Sequence, residues 1–370
     1  MRAAFAGALV AVLCLCGTAS AAAPKLVVQG RHLVDVRNGK TFVPRGVNWP
    51  SFEYACYYGY GYSDAADPKT THPTSTQARL IARWHANTVR VPLNEACWLG
   101  VDGQPAFGDV DGYRAAVRSW VAKLNRAGLA VILDLHWSAP PGVGAESQRA
   151  MPDERSPDFW RSVATTFKGN RAVVFDLFNE PYSRYDDDGQ LVFDLTWDCR
   201  LSGGCTPPTV NDGQPLDGNT YTAVGMADLV DAVRSAGAKQ PIMLAGRDYA
   251  NDLGEWLADR PTDNQLVASF HNYKRQTCHT VSCWNRTIAP IARRVPVVTG
   301  EFGETDCRAS HVNSYMSWAD KRGIGYLAWA WWVLRKKGCK QLSVLANTSG
   351  KPKSPNGTAL KAHLAKLAKR

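Results

Sequence analysis

The sequence has no Cys-x-x-Cys pair and no His-Glu-x-x-His stretch, which disfavours zinc ribbons, dithiol redox motifs and a helix-borne histidine metal site. Low-complexity tracts are also missing. After the first residues no apolar run reaches the roughly 20 residues that a membrane span needs, so no transmembrane segment is expected. Acids are scarce relative to bases, with 33 Asp and Glu against 43 Lys and Arg and a formal net charge of +10. The basic excess gathers near the C-terminus in Lys336, Lys337, Lys340, Lys351, Lys353, Lys361, Lys366, Lys369 and Arg370, with no aromatic residue interleaved as a stacking platform. A solvated basic face is therefore expected, and no nucleic-acid partner.

What is present describes a globular chain: 370 residues, 45% hydrophobic and 21% charged, enough to bury one large core and too apolar for disorder. Met1-Arg2, the apolar run Ala3 to Gly17 and the small residues Thr18 to Ala21 have the form of a secretory signal. Residues 1–23 are read as that leader, cleaved near Ala21 to Ala23, and 24–370 as one secreted catalytic domain. Two of the ten cysteines, Cys14 and Cys16, lie in the leader; the remaining eight, in an exported chain, suggest disulfides. Cys199 and Cys205 enclose a Gly-Gly turn and Cys278 and Cys283 flank a short polar loop, so each pair reads as a local staple. Cys56–Cys97 and Cys307–Cys339 are the expected remaining pairs, although spacing alone does not fix connectivity.

From residue 41 onward, short β-branched or apolar runs alternate with amphipathic helical patterns, the signature of a parallel sheet covered by helices. Eight runs stand out: Phe42 to Asn48, Thr88 to Leu93, Val131 to His136, Val173 to Asn179, Pro241 to Gly246, Leu266 to Tyr273, Val295 to Glu301 and Tyr326 to Trp331. Helical patterns include Gln77 to His85, Tyr113 to Ala127, Tyr221 to Ala236, Val312 to Lys321 and Thr358 to Lys369. Eight β-then-α units predict an α/β fold, a single (β/α)8 TIM barrel. Leu26 to Thr41 reads as a small N-terminal hairpin plugging the barrel from beneath. Two long βα loops, Trp49 to about Pro73 and Pro181 to about Asn219, carry aromatics and cysteines that argue for order.

A barrel gathers the polar residues at its strand ends into one cleft. Those residues are Arg90, His136-Trp137, Asn179-Glu180-Pro181, His271-Asn272-Tyr273, Glu301-Phe302-Gly303, Trp329 and Trp331. Barrel closure sets Glu180 and Glu301 face to face. A carboxyl pair suits glycoside cleavage, one member protonating the leaving oxygen while the other meets an oxocarbenium-like carbon, and aromatic rings supply platforms for sugars.

On these residues the chain resembles glycoside hydrolase family 5, the cellulase family of clan A. Six elements fall in register with the eight strands: Arg90 in Thr-Val-Arg-Val-Pro, His136 in Asp-Leu-His-Trp, Asn179-Glu180-Pro181, His271-x-Tyr273, Glu301 in Gly-Glu-Phe-Gly and Trp329 in Leu-Ala-Trp-Ala-Trp. The resemblance implies a retaining double displacement without cofactor or metal, Glu180 being the acid/base and Glu301 the nucleophile. It further implies that Asn179 bonds the sugar 2-hydroxyl, that Tyr273 holds the nucleophile with Arg90 beneath it, and that His136 and His271 form the polar wall. Trp329 is implied as the sugar platform; Trp331, two residues on and on the same side of the strand by alternation, is the second choice.

Elsewhere structural roles are expected. Asn94-Glu95 can touch a neighbouring sugar or simply make loop hydrogen bonds; Glu304 is read as structural and Asp186-Asp187-Asp188 as a solvated turn. His32, His72, His85, His279, His311 and His363 are read as surface or packing residues, and Asn285, Asn347 and Asn356 sit in glycosylation sequons. The substrate expected is a polysaccharide or oligosaccharide, first a β-1,4-glucan cut internally by a monomer. A β-mannan, an exo-acting glycosidase and a non-catalytic carbohydrate-binding barrel are the alternatives.

Overall fold

The computed structural model describes residues 22–63, 66–211, 213–334 and 338–369. Most of the expected leader, residues 1–21, lies outside the described residues, as do Lys336, Lys337 and Arg370 of the basic cluster. Eight parallel strands close into a barrel: β1 (Arg45–Asn48), β2 (Thr88–Asn94), β3 (Ala130–Trp137), β4 (Val173–Asp176), β5 (Ile242–Ala245), β6 (Leu266–Tyr273), β7 (Val297–Gly303) and β8 (Gly325–Ala328). Closure is made by β8 on β1, Tyr326 opposite Arg45. The strands are buried almost throughout, as the near-continuous apolar runs require of a sheet covered on its outer side by helices.

Those helices form where the sequence supplies an apolar stripe, and two of them add a side-chain cap. Thr74 and Gln77 make a reciprocal capping box on Ser75–Ala82, and Asp109 caps Val110–Arg126, which buries Tyr113, Val117, Trp120 and Leu124 against the barrel. Ser156–Phe167, Met226–Ser235, Ser310–Asp320 and Asn356–Leu367 also bury an apolar stripe but start without a side-chain cap bond. The eightfold βα regularity breaks after β5, where only the four-residue turn Arg247–Ala250 precedes β6. Its Asp248, Tyr249 and Ala250 have positive φ, a conformation that cannot propagate as a right-handed helix.

The N-terminal segment forms a three-stranded antiparallel sheet, and its Leu26 and Leu33 pack with Ala130, Ile132, Val174, Met243, Val267, Val298 and Leu327 of the barrel floor. It is the expected plug. All four expected disulfides are present: Cys56–Cys97, Cys199–Cys205, Cys278–Cys283 and Cys307–Cys339. No helix among the described residues is long and apolar enough to cross a membrane.

Candidate active site

Arg90, near the middle of β2, points into the barrel and is fully buried. Its Nε donates to Asp176 Oδ2 at 2.9 Å, Nη1 to Glu301 Oε1 at 2.8 Å and Asn48 Oδ1 at 3.2 Å, and Nη2 to Asn179 Oδ1 at 2.9 Å; Nη2 also forms an ion pair with Asp134 Oδ1 at 3.0 Å, without hydrogen-bond geometry. Three carboxylates thus share one guanidinium in a site without water-like screening. Burial pushes Asp134 up to about 7 and Asp176 up to about 6, in both cases against the pull of Arg90, while the guanidinium itself is held protonated more firmly than usual by its three anionic neighbours.

Glu301 sits on β7 where the ladder is interrupted between Thr299 and Phe302, and His271 sits at a register shift on β6; such irregularities re-aim side chains toward a barrel mouth. Gly300 makes room for that approach. A Cβ there would lie 2.8 Å from His271 Nε2 and 3.4 Å from Arg90 Nε, so glycine is the residue the packing admits. Tyr273 Oη donates to Glu301 Oε2 at 2.6 Å. Burial, and next the charge of Glu301, push this phenol well above its usual range, so it remains a donor.

Glu180 lies beyond β4 and is the more open of the two glutamates, its side chain 13% exposed against 6% for Glu301. His271 Nδ1 stands 2.8 Å from Glu180 Oε1 and 3.9 Å from Glu301 Oε2. Burial pushes His271 down to about 4, so the imidazole is neutral at ordinary pH. One carboxyl oxygen from each glutamate and His271 Nδ1 lie within 4.8 Å of one another. Oxygens this close are compatible with the roughly 5–5.5 Å carboxyl separation of retaining enzymes. Of the described residues these three also come together as a possible ligand set for a cation. Both Glu301 oxygens already receive donors, one of them from a guanidinium, which disfavours a second positive charge there.

The remaining expected residues line the same mouth. His136 Nδ1 contacts Asp134 Oδ2 at 2.6 Å, and the imidazole, pushed down to about 4 by burial, lies parallel to the Trp329 indole at 5.3 Å and 7°. Trp329 is half-buried and offers a ring face. Trp331, the second choice of platform, is excluded: β8 ends at Ala328, strand alternation no longer governs position 331, and its ring is buried edge-on against Trp84 at 4.8 Å.

Asn94 caps the short helix Glu95–Leu99 and donates to the carbonyls of Glu53 and Ala145 at 2.8 Å each, while buried Glu95 accepts from Ser156 at 2.7 Å. Both are structural. Glu304 accepts from the Val312 amide, as expected of a structural residue, and Asp186 accepts from the amides of Asp188 and Gln190 in an exposed turn. His311 packs between Trp284 and Tyr315, and His363 pairs with Asp320. The Asn356 side chain is buried and donates to the Glu304 carbonyl, leaving no room for a glycan at that sequon.

Several site residues escaped the sequence reading. Asp134 and Asp176 were legible as acids embedded in the apolar runs Leu133-Asp134-Leu135 and Phe175-Asp176-Leu177. Glu53, whose carboxyl burial pushes up to about 8, and Gln148, which reaches Glu180 from the loop after β3, carry no such signal. In the first long loop, Tyr62 is buried in a small core with Phe52 and Tyr113, whereas Tyr54, Tyr58 and Tyr60 gather beside Trp137 with successive ring separations of 6.1–6.5 Å. Tyr58 and Tyr60 are 47% and 57% exposed. Tyr182 of the second loop is ordered by a parallel stack on Tyr249 at 4.9 Å.

A closed parallel barrel with two carboxyl groups this close at its C-terminal rim has the architecture of retaining glycoside hydrolases. The sequence model described as cellulase (glycosyl hydrolase family 5) matches residues 39–334, and the chain belongs to that family. A mannan endo-1,4-beta-mannosidase of Cellvibrio japonicus (strain Ueda107) is 22% identical over 321 residues, a match covering 82% of this chain and 58% of the relative. The chain therefore spans a little over half that relative's length. Among solved structures, a beta-glucanase from Saccharophagus degradans in complex with cellotetraose has a TM-score of 0.65 at 17% identity, covering 95% of each chain. The catalytic domain of Thermobifida fusca endoglucanase Cel5A has a TM-score of 0.60 at 15% identity, covering 92% of this chain and 97% of that one. At these identities the structural likeness speaks for the fold.

Proposed function

We propose that the chain is a secreted, endo-acting β-1,4-glucanase in which Glu301 is the nucleophile and Glu180 the general acid/base. The observation that carries the assignment is the pair of donors on Glu301: Arg90 at 2.8 Å and Tyr273 at 2.6 Å hold its two oxygens in place, as an attacking carboxylate requires, while Glu180 is the more open of the two and stands beside Gln148 and His271. In the first step Glu301 attacks the anomeric carbon, the glycosidic C–O bond breaks, and Glu180 gives its proton to the departing oxygen. Water then adds to the anomeric carbon of the glycosyl ester, Glu180 takes the water's proton, and Glu301 leaves as carboxylate. Asn179 keeps one Nδ2 hydrogen for the 2-hydroxyl, and Trp329 stacks beneath the sugar, with His136 behind it.

Endo action is supported by the rings of Tyr54, Trp137, Tyr58 and Tyr60, which offer more stacking surface than one sugar uses. Export is supported by four disulfides, a pattern of oxidising compartments. A β-mannan is the second reading, favoured by the mannosidase relative. The test follows viscosity against reducing ends on soluble β-glucan and mannan, with Glu301→Gln as the inactive control. A steep early fall in viscosity on glucan supports the proposal; reducing sugar accumulating at nearly constant viscosity contradicts endo action, and turnover of mannan alone contradicts the glucan assignment.

A further inference from the structure

We propose that Gln148 is a positioning residue that ends a one-way relay of hydrogen bonds from Arg90 through Asn179 to Glu180, fixing where the acid/base carboxyl points and the pH at which it gives up its proton. This rests on the assignment of Glu180 made above. Gln148 lies in the loop after β3, outside every motif that identifies the family.

The direction of the relay is forced by chemistry. A guanidinium has donors and no acceptor, so the Asn179 atom 2.9 Å from Arg90 Nη2 is its oxygen, and Nδ2 must face the other way. Asn179 Nδ2 meets Gln148 at 2.9 Å, which makes that partner atom Oε1. The Gln148 amide group left over, Nε2, then donates to Glu180 Oε2 at 3.2 Å. Every amide orientation follows from the buried cation, and the donors run consistently toward Glu180. Arg90 therefore holds Glu301 directly, at 2.8 Å, and Glu180 through two amides.

The loop is anchored to carry this. Tyr182 Oη donates to the Gln148 carbonyl at 3.4 Å from a fully buried ring, and the adjacent Arg149, itself buried, donates to the Gly144 carbonyl at 2.8 Å. With Oε2 held by Gln148 and Oε1 facing His271, the rotational setting of the Glu180 carboxyl is fixed. A donor to a carboxyl favours the ionised form, so Gln148 also makes Glu180 release its proton more readily.

The experiment compares Gln148→Met, which keeps the length and removes donor and acceptor, with Gln148→Ala and Glu180→Ala. The kcat/KM is measured across pH on a soluble β-glucan and on an activated aryl β-cellobioside. For Gln148→Met the expected result is a roughly tenfold loss on glucan, the scale of one hydrogen bond to a charged group, with the aryl substrate within about twofold because a good leaving group needs no proton. The alkaline limb of the glucan profile should move up by about one pH unit. Gln148→Ala, which also opens space, should show the same limb shift. An unmoved alkaline limb in both variants, or equal losses on the two substrates, overturns the relay. Glu180→Ala separates the two levels: if it loses the aryl and glucan activities equally, the acid/base assignment itself fails, whereas a normal Glu180→Ala phenotype beside an unmoved Gln148 profile removes the relay alone.

Discussion

Replacing Arg90 with methionine should destabilise the fold by about 3–5 kcal/mol at pH 7.5, the cost of breaking a buried ion pair by removing one partner, and by clearly less at pH 5. Asp176, Asn48, Glu301 and Asn179 accept hydrogen bonds from the guanidinium at 2.8–3.2 Å, and Asp134 pairs with it at 3.0 Å. Methionine fills much of that space and donates nothing. Three buried carboxyls then face one another without a cation. In the native protein burial already pushes Asp134 up to about 7 and Asp176 to about 6 against the opposing pull of Arg90, so its loss drives both higher. A carboxyl whose folded value is raised holds a proton that the unfolded chain releases from about pH 4 upward, and its contribution disfavours the folded state increasingly until the folded value is passed. At pH 5 both aspartates are protonated with or without Arg90. At pH 7.5 the native site is ionised and paired, while the variant must retain protons or bury bare charge, so the penalty grows with pH. Urea unfolding followed by tryptophan fluorescence at the two pH values measures it. A penalty below about 1 kcal/mol at pH 7.5, within the range of ordinary surface substitutions, or one equal at both pH values would refute the reasoning.

Tyr273→Phe removes the 2.6 Å donor to Glu301 and should lower kcat/KM on β-glucan by roughly tenfold to a hundredfold with the melting temperature nearly unchanged; a loss under about threefold would detach the phenol from the reaction. Tyr58→Ala and Tyr60→Ala, in the exposed ring cluster, should each raise KM for long β-glucan several-fold and leave an aryl cellobioside unaffected, on the scale of about 0.5–1.5 kcal/mol per aromatic contact. Equal KM changes for both substrates would show instead that the loop was merely disturbed.

Much of the barrel was legible because its strands are apolar runs buried on both sides, and because family motifs lie on them or just beyond them: Arg90 inside its strand and His136, Glu180, His271, Tyr273, Glu301 and Trp329 toward the C-terminal ends converge as the strand order requires. Local spacing made two bridges legible; the other four cysteines admit three pairings, of which the expected one is present. Strand ends were less so. Alternation suggested that Trp331 shares the face of Trp329, but the ladder stops at Ala328 and the chain turns Trp331 outward onto Trp84. The helix missing after β5 was hidden because Arg247–Ala250 carries no glycine or proline to announce its left-handed backbone. Gln148 was invisible for a further reason: a loop residue 32 positions from Glu180 gains its meaning only when the β3 and β4 loops are folded against each other.

The most direct measurement is to trap the intermediate with activated 2-deoxy-2-fluoro-β-cellobioside, run beside its β-mannosyl counterpart, and to locate the label by peptide mass spectrometry. The account predicts one glycosyl ester, on Glu301, with product of retained configuration from ordinary substrate. A label on Glu180, or turnover to inverted product without any covalent adduct, would contradict it.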